Sequence, residues 1–481
     1  MSAEGEPKPA SGLGEETYGL KREIGVLGSF SMGYADVGAD VYVALGILAL
    51  YAQSAAPLAI LIASITYIST GLTYAELASK YPVAGGGNFY ANKVFGPIHG
   101  FLAGWGLMLD YTVDIALFAL ASSGYVGAVV KAFFNSNFVL QEPYYALIAI
   151  AIILSLLFLN IKGISYSSRL NIAVVIVNLG TVALLAALGF YVVITRGLFS
   201  TWTTQLLTDF PSQGNFAYGV TLAMASFIGI ESISQAAEET KVPSKVIPKS
   251  TKLSIIAVLV IAISLSFLSV SVLPWQVVAG GAQDPLFFLA RAMPGIGAFF
   301  AIWIAFMGIW ISLVSTNTGV IGVSRVTFSM GRLNLMPHSF SRLHKKYRTP
   351  YVTISIFSLA AMSIIMLNIF SPSSVLLNLV ASLYNFGALV AYMYVNLSAI
   401  ALRFRNDQNE VYRSPINFTI TVKGKKVKLS VIPFLGFISC FVLWSILIIS
   451  HPLGRIVGLV WFTFGVMLYF AYRRKRRLPI T

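Results

Sequence analysis

A single cysteine, Cys440, and four histidines are all the thiol and imidazole chemistry available in these 481 residues. One cysteine excludes an intrachain disulfide and a thiolate metal site. His99, His338, His344 and His451 fall in connecting segments or at the ends of apolar runs, and no HExxH pair occurs on any predicted helix. No metal site and no cofactor are therefore expected. An intramembrane enzyme would need a metal set or a nucleophile–base pair, and neither can be placed. The triplet Gly85-Gly86-Gly87 lacks both the Lys-Ser/Thr pair and the preceding strand of a phosphate loop, so it reads as a flexible connection. Charge is also short: Asp, Glu, Lys and Arg make up 11% of the chain, against roughly 25% in a soluble domain. An ordinary water-soluble fold is excluded.

What the chain has instead is apolar length. Hydrophobic residues make up 57% of it, in runs near the ~20 residues that cross a bilayer. Twelve spans are predicted, at 24–50, 55–79, 98–130, 144–162, 168–195, 216–238, 252–274, 292–331, 351–370, 374–402, 430–449 and 453–472. The fold class is an all-α polytopic membrane protein with twelve transmembrane helices. The net charge of +15 would suit nucleic acid, but its distribution argues otherwise. With the N-terminus in the cytoplasm, every Lys and Arg except Lys131, Arg196, Arg291 and Arg455 falls on the cytoplasmic side. That is the positive-inside pattern, and it orients both termini inward. The run Arg473-Arg474-Lys475-Arg476-Arg477 reads as a topology anchor beside anionic lipid, so the bilayer and not nucleic acid is the expected partner. Residues 1–20 read as a disordered cytoplasmic tail, 406–429 as a cytoplasmic loop with a small hairpin around Lys423-Gly424, and 473–481 as a basic tail.

Acids inside such spans are expensive and persist where they meet a cavity, a partner or a substrate. The first span carries Asp36, Gly38 and Asp40 in its middle. The third carries Asp110 and Asp114, four apart and so on one helical face. The sixth carries Ser226-Phe227-Ile228-Gly229-Ile230-Glu231. Two interrupted segments at corresponding places in two halves point to a transporter site. Residues 21–196 and 216–405 would then form two inverted five-span units, a core over 21–405 with broken first and sixth helices, and 430–472 would add two helices outside the repeat.

Several motifs together resemble the amino acid–polyamine–organocation transporter superfamily over roughly residues 24–405. They are Tyr74-Ala75-Glu76-Leu77-Ala78-Ser79-Lys80-Tyr81-Pro82-Val83-Ala84-Gly85-Gly86, Gly96-Pro97 through Asp110-Tyr111, and Ser226 to Ser232 with Glu238-Glu239-Thr240-Lys241. Ser324-Arg325 to Pro337 and Lys346-Tyr347-Arg348-Thr349-Pro350-Tyr351 complete the set. The resemblance implies the five-plus-five inverted repeat of the leucine-transporter type and ion-coupled transport by alternating access across the cell membrane. It implies that the amides of Gly38, Ala39 and Asp40 hold a substrate carboxylate at a half-helix N-terminus. Carbonyls near Asp36 and Val37, and near Ser226, Phe227 and Ile228 beside Gly229, would accept an ammonium. Asp114 falls where the third helix reaches the pocket, and Tyr111, Phe227, Tyr384 and Asn385 are candidate lining or gating residues. Asn178 stands where some members carry a lysine, so a lysine-based coupling route is absent. Ser312, Ser315 and Thr316 are candidates for a sodium-like site, and Glu231 for proton exchange, since a buried carboxyl can take up and release a proton during a cycle.

The chain departs from the family at Gly38-Ala39-Asp40-Val41-Tyr42, where an aspartate replaces a small residue. Like charges in low dielectric repel strongly, so either Asp40 is protonated, or it points away, or the substrate is a cation; with Asp36 and Asp114 nearby, a cationic substrate is expected: a basic amino acid, a polyamine or a metal cation, coupled to H+ or Na+. The stretch Tyr34-Ala35-Asp36-Val37-Gly38 with Tyr42 also resembles the first helix of potassium uptake permeases, which keeps an inorganic cation open as the alternative. The bland readings are simple kinks at the glycines, aspartates paired to neighbouring helices, hydroxyls bonded to their own backbone, and aromatics that only pack.

Overall fold

Hydrocarbon offers no partner for backbone N–H and C=O groups, so a chain this apolar must satisfy them within helices. The computed structural model describes residues 22–280, 284–368, 373–405, 411–422 and 425–479. The expected disordered tail over 1–20 lies outside those residues. In order, the helices are α1 Val26–Ala52, α2 Ala56–Lys80, α3 Gly87–Phe95, α4 Pro97–Phe134, α5 Tyr144–Lys162, α6 Ile164–Thr195, α7 Leu198–Thr208, α8 Gln213–Ala223 and α9 Ser232–Gln235. They continue with α10 Pro243–Val272, α11 Trp275–Gly280, α12 Pro285–Arg291, α13 Gly297–Arg332, α14 Tyr351–Asn368, α15 Ser373–Phe404, α16 Val431–Ser450 and α17 Pro452–Arg476. Strands β1 Asn417–Val422 and β2 Lys425–Ser430 pair antiparallel, with Asn417 opposite Ser430, as the hairpin expectation requires.

Among the described residues, ten stretches are long and apolar enough to cross a membrane. The first, Val26–Lys80, contains both α1 and α2, joined by a 3-10 turn at Gln53–Ala55. The shorter apolar helix Tyr351–Leu367 falls at the expected ninth span. The protein is thus all-α and polytopic, and twelve crossings are reached only by dividing that first stretch and adding the short helix. The layers follow from burial. α4 and the α8–α9 segment are almost wholly enclosed, whereas α16 and α17 leave most of their surface open to the surroundings. Helix α1 is buried continuously from Gly28 to Ala49.

Three expectations need correction. The first helix is not broken: α1 runs through Gly38 without interruption. The missing side chain there makes room for a ring, since a Cβ on Gly38 would sit 2.6 Å from Cε1 of Tyr34. The glycine triplet is a turn at Gly85 and Gly86 that opens directly into α3, not a flexible connection. The basic run is not a tail at its start: α17 continues to Arg476, and Arg473 is buried over Tyr469 and donates to the Asn334 carbonyl at 3.2 Å. The connection before the sixth span holds α7.

The sixth span is broken, as expected. α8 tightens into a 3-10 turn at Met224–Phe227, the chain is extended at Ile228 (φ −81°, ψ 141°), and Gly229 takes φ +124° before α9 begins. A side chain is strained at that φ, and a Cβ on Gly229 would meet the Asp36 Cβ at 2.4 Å. The break and the close approach of α1 therefore fix one another.

Candidate functional site

The crossing of α1 with the broken sixth span is built around Asp36. Ser232 Oγ, from the first residue of α9, donates to Asp36 Oδ2 at 3.0 Å, and Ser315 Oγ from α13 donates to Oδ1 at 3.0 Å. Tyr111 of α4 joins the same group, its hydroxyl 3.3 Å from Ser232 Oγ. Glu231 sits one residue before Ser232. Its Oε2 accepts the Gly229 amide at 3.1 Å and the Tyr392 hydroxyl from α15. One carboxylate from each half of the chain is thus held by named donors at a single crossing.

The remaining acids crowd the same region with fewer partners. Asp114 lies against the bare face of α13, where a Cβ on Gly319 would fall 2.2 Å from its Oδ2. Asp110 faces α15, where the backbones come close at Gly106 and Gly387. Asp36, Asp40, Asp110, Asp114 and Glu231 are each at most 1% exposed. Both oxygens of Asp110 and of Asp114, and one each of Asp40 and Glu231, have no hydrogen-bond partner. Ser226 Oγ, Ser312 Oγ, Asn385 Oδ1 and the Tyr67 hydroxyl nearby are also unpartnered. Buried polar groups are normally satisfied, and a buried carboxylate without a counter-charge is far costlier than a neutral one. Such a centre can hold protons, receive a cation, or exchange one for the other. Among the described residues, no three His, Cys, Asp or Glu side chains converge in a way that could hold a metal ion.

The other expected residues divide. Ser315 reaches Asp36, but Thr316 Oγ1 donates to the Ser312 carbonyl at 2.9 Å, the ordinary backbone bond of a helical hydroxyl. Phe227 stacks on Tyr67 with ring centroids 5.0 Å apart. Tyr384 is buried edge-on to Phe118, and Asn385 Nδ2 donates to the Thr221 carbonyl of α8 at 3.1 Å. Asn178 sits between two tyrosines of α1: it donates to Tyr42 Oη at 2.8 Å and accepts from Tyr34 at 3.0 Å. The amides of Gly38, Ala39 and Asp40 lie inside a continuous helix, so the half-helix N-terminus expected there is not formed in this state.

Sequence reasoning passed over Ser232 and Tyr392 as site residues. Tyr392 follows Asn385 by seven positions, which puts both on one face of α15, and that spacing was the available signal. It also passed over how the broken span is tied down beyond α9. Glu239 forms a buried pair with Arg325 of α13 at 3.0 Å, and Glu238 pairs with Arg332 at 2.8 Å while accepting the Ala84 amide at 3.0 Å. The Glu239 carbonyl accepts the amides of Glu23 and Ile24, which stitches the start of α1 to the same point.

Comparison with known proteins bears on this arrangement. The pattern of a family described as amino acid permease matches residues 24–472. The chain is 27% identical to the branched-chain amino acid permease BcaP of Bacillus subtilis, over 95% of this chain and 94% of that protein. It is 25% identical to the low-affinity putrescine importer PlaP of Escherichia coli, over 88% and 87% of the two chains. It is 27% identical to the mouse cationic amino acid transporter 4, over 83% of this chain and 62% of that one.

Proposed function

The chain belongs to the amino acid permease family, and from that membership we propose that it is a secondary active transporter of amino acids or related amines that favours cationic substrates. It is a multi-pass membrane protein and a permease, not an enzyme. The preference for cations rests on one observation: five buried carboxylates surround the broken sixth span, and six of their oxygens lack any hydrogen-bond partner. An ammonium brought among them would neutralise charge and donate up to three hydrogen bonds. A substrate carboxylate would add a further negative charge. Two of the three relatives carry names that specify cationic cargo, putrescine and cationic amino acids.

In this reading Asp36 and Glu231 form the centre of the site, with Asp40 and Asp114 as the charges that select a cation. Ser226 and Ile228 offer carbonyls at the break, and Phe227 with Tyr67 forms an aromatic wall. Glu231 exchanges the coupling proton, and the two five-span units rock about the crossing with both termini in the cytoplasm. Uptake of radiolabelled arginine into proteoliposomes, competed with unlabelled arginine, putrescine, leucine and potassium, tests the proposal. Competition by arginine or putrescine well above leucine is expected. Leucine competing as well as arginine would overturn the cationic preference, and competition by potassium alone would overturn the organic substrate.

A further inference from the structure

Helix α13 starts at a recess of about 350 Å³ and carries Arg325 near its far end. The recess lies between the last turns of α4, the short α12 and the first turns of α13. Its charged lining is Lys131 from α4, Asp284 just before α12, and Arg291 at the end of α12. Lys131 and Arg291 are two of the four basic residues that depart from the positive-inside pattern, and both line this one space. Both are exposed, and among the described residues neither enters an ion pair. Asp284 is half-buried, and Lys131 is close enough to pull its carboxyl downward against the effect of burial.

This is not the central site. Lys131 follows Asp114 by 17 residues of one helix, about 25 Å along its axis. The volume is near the lower bound of the roughly 300–1,000 Å³ usual for small-molecule sites. A lone anion there would face Asp284, and a lone cation would face Lys131 and Arg291, each a like-charge contact. A ligand carrying both signs a few bonds apart meets neither penalty, and its anionic group gains charge-assisted hydrogen bonds from the guanidinium. We propose that this recess binds the zwitterionic end of a free α-amino acid, its carboxylate between Lys131 and Arg291 and its ammonium against Asp284. The charges argue for a zwitterion; that it is an amino acid rests on the transport reading above.

Cys440 is buried, so Ala298→Cys gives the full-length chain in phosphatidylcholine nanodiscs one accessible thiol, and its rate of labelling by N-ethylmaleimide reports on the recess. Arginine and leucine, which share the zwitterion, should slow labelling alike, whereas putrescine and acetate, with one sign each, should not. Lys131→Gln and Arg291→Gln should each raise the arginine midpoint about threefold to fivefold, as for a solvent-exposed ion pair. Glu231→Gln should leave that midpoint unchanged, although it weakens binding at the centre. Ala132→Cys on α4 is the second reporter, and unfolding temperature shows whether each variant is folded. No protection at either reporter, protection by putrescine or acetate equal to that by arginine, protection lost with Glu231→Gln, or an unchanged midpoint in both folded Gln variants would overturn the proposal. So would protection by phosphatidylethanolamine without amino acid, because the zwitterion would then be a lipid headgroup. Protection that stands while arginine uptake fails would instead overturn the transport reading.

Discussion

At the scale of single residues, the carboxylates fall into two kinds. Asp36 and Glu231 are held by donors from Ser232, Ser315, Tyr392 and the Gly229 amide, so their positions are fixed. Asp40, Asp110 and Asp114 are buried with unpartnered oxygens, so they are the carboxyls left free to hold a proton or meet a cation. Glu231→Gln keeps the size of the side chain but cannot gain or lose a proton. It is expected to flatten the pH dependence of uptake while binding weakens roughly tenfold, about the worth of one charge-assisted hydrogen bond. Uptake measured across pH, beside binding by equilibrium dialysis, separates the two, and an unchanged pH profile removes Glu231 from the proton role. Asp40→Ser removes one selecting charge and should shift competition from arginine toward neutral amino acids by about tenfold or more, as for one strong ionic contact. Loss of all uptake with unchanged selectivity would make Asp40 a packing residue.

At the scale of elements, the two mid-span glycines look equivalent in sequence and are opposite in structure. Gly229 has φ +124° and no space for a methyl beside Asp36, so Gly229→Ala meets backbone strain and a clash together. A loss of roughly 2–4 kcal/mol is expected from the two terms. Gly38 is helical, and alanine there gains about 1 kcal/mol of helix propensity. It would also press on the Tyr34 ring at 2.6 Å, which is anchored through Asn178, so Gly38→Ala should be destabilising by a smaller amount. Thermal unfolding of the two variants checks the order; if Gly38→Ala is the worse, the ring contact has been undervalued. The same contrast shows what could be read in advance. Spacing and polarity located both crossing segments, the acids on α4 and the hydroxyls on α13, because membrane burial makes each of them costly enough to notice. They did not tell which glycine breaks a helix and which admits a neighbouring ring, since that depends on the partner and not on the local sequence. Spacing from Asn385 could place Tyr392 on the right face of α15 but not give its bond to Glu231, nor the bonding of Glu239 with Arg325, both of which arise only when segments more than eighty residues apart meet.

At the scale of the whole molecule, the two ends of the bundle are closed by different chemistry. At one end the exit of the broken span is tied to α13 through the fully buried Arg325–Glu239 pair. Removing one member of such a pair leaves a buried charge without a partner, at a cost of about 3–5 kcal/mol. Arg325→Met should therefore lower the unfolding temperature sharply, and Arg325→Met with Glu239→Leu should recover most of it; no recovery would mean the pair contributes by more than charge balance. The opposite end, beyond α10, carries Asp284 in a recess of about 350 Å³ with Lys131 and Arg291. Burial pushes the Asp284 carboxyl up from its ordinary value of 3.8 to about 6, with Lys131 pulling the other way. The folded chain thus holds that proton more tightly than the unfolded one. Its stabilising contribution is complete below about pH 4 and is lost as pH rises through about 6. The difference in unfolding temperature between the native chain and Asp284→Asn should change in the native chain's disfavour across that window and stay constant above it. The other buried acids titrate in both proteins and cancel in the difference, so a flat difference would place the Asp284 carboxyl in contact with water.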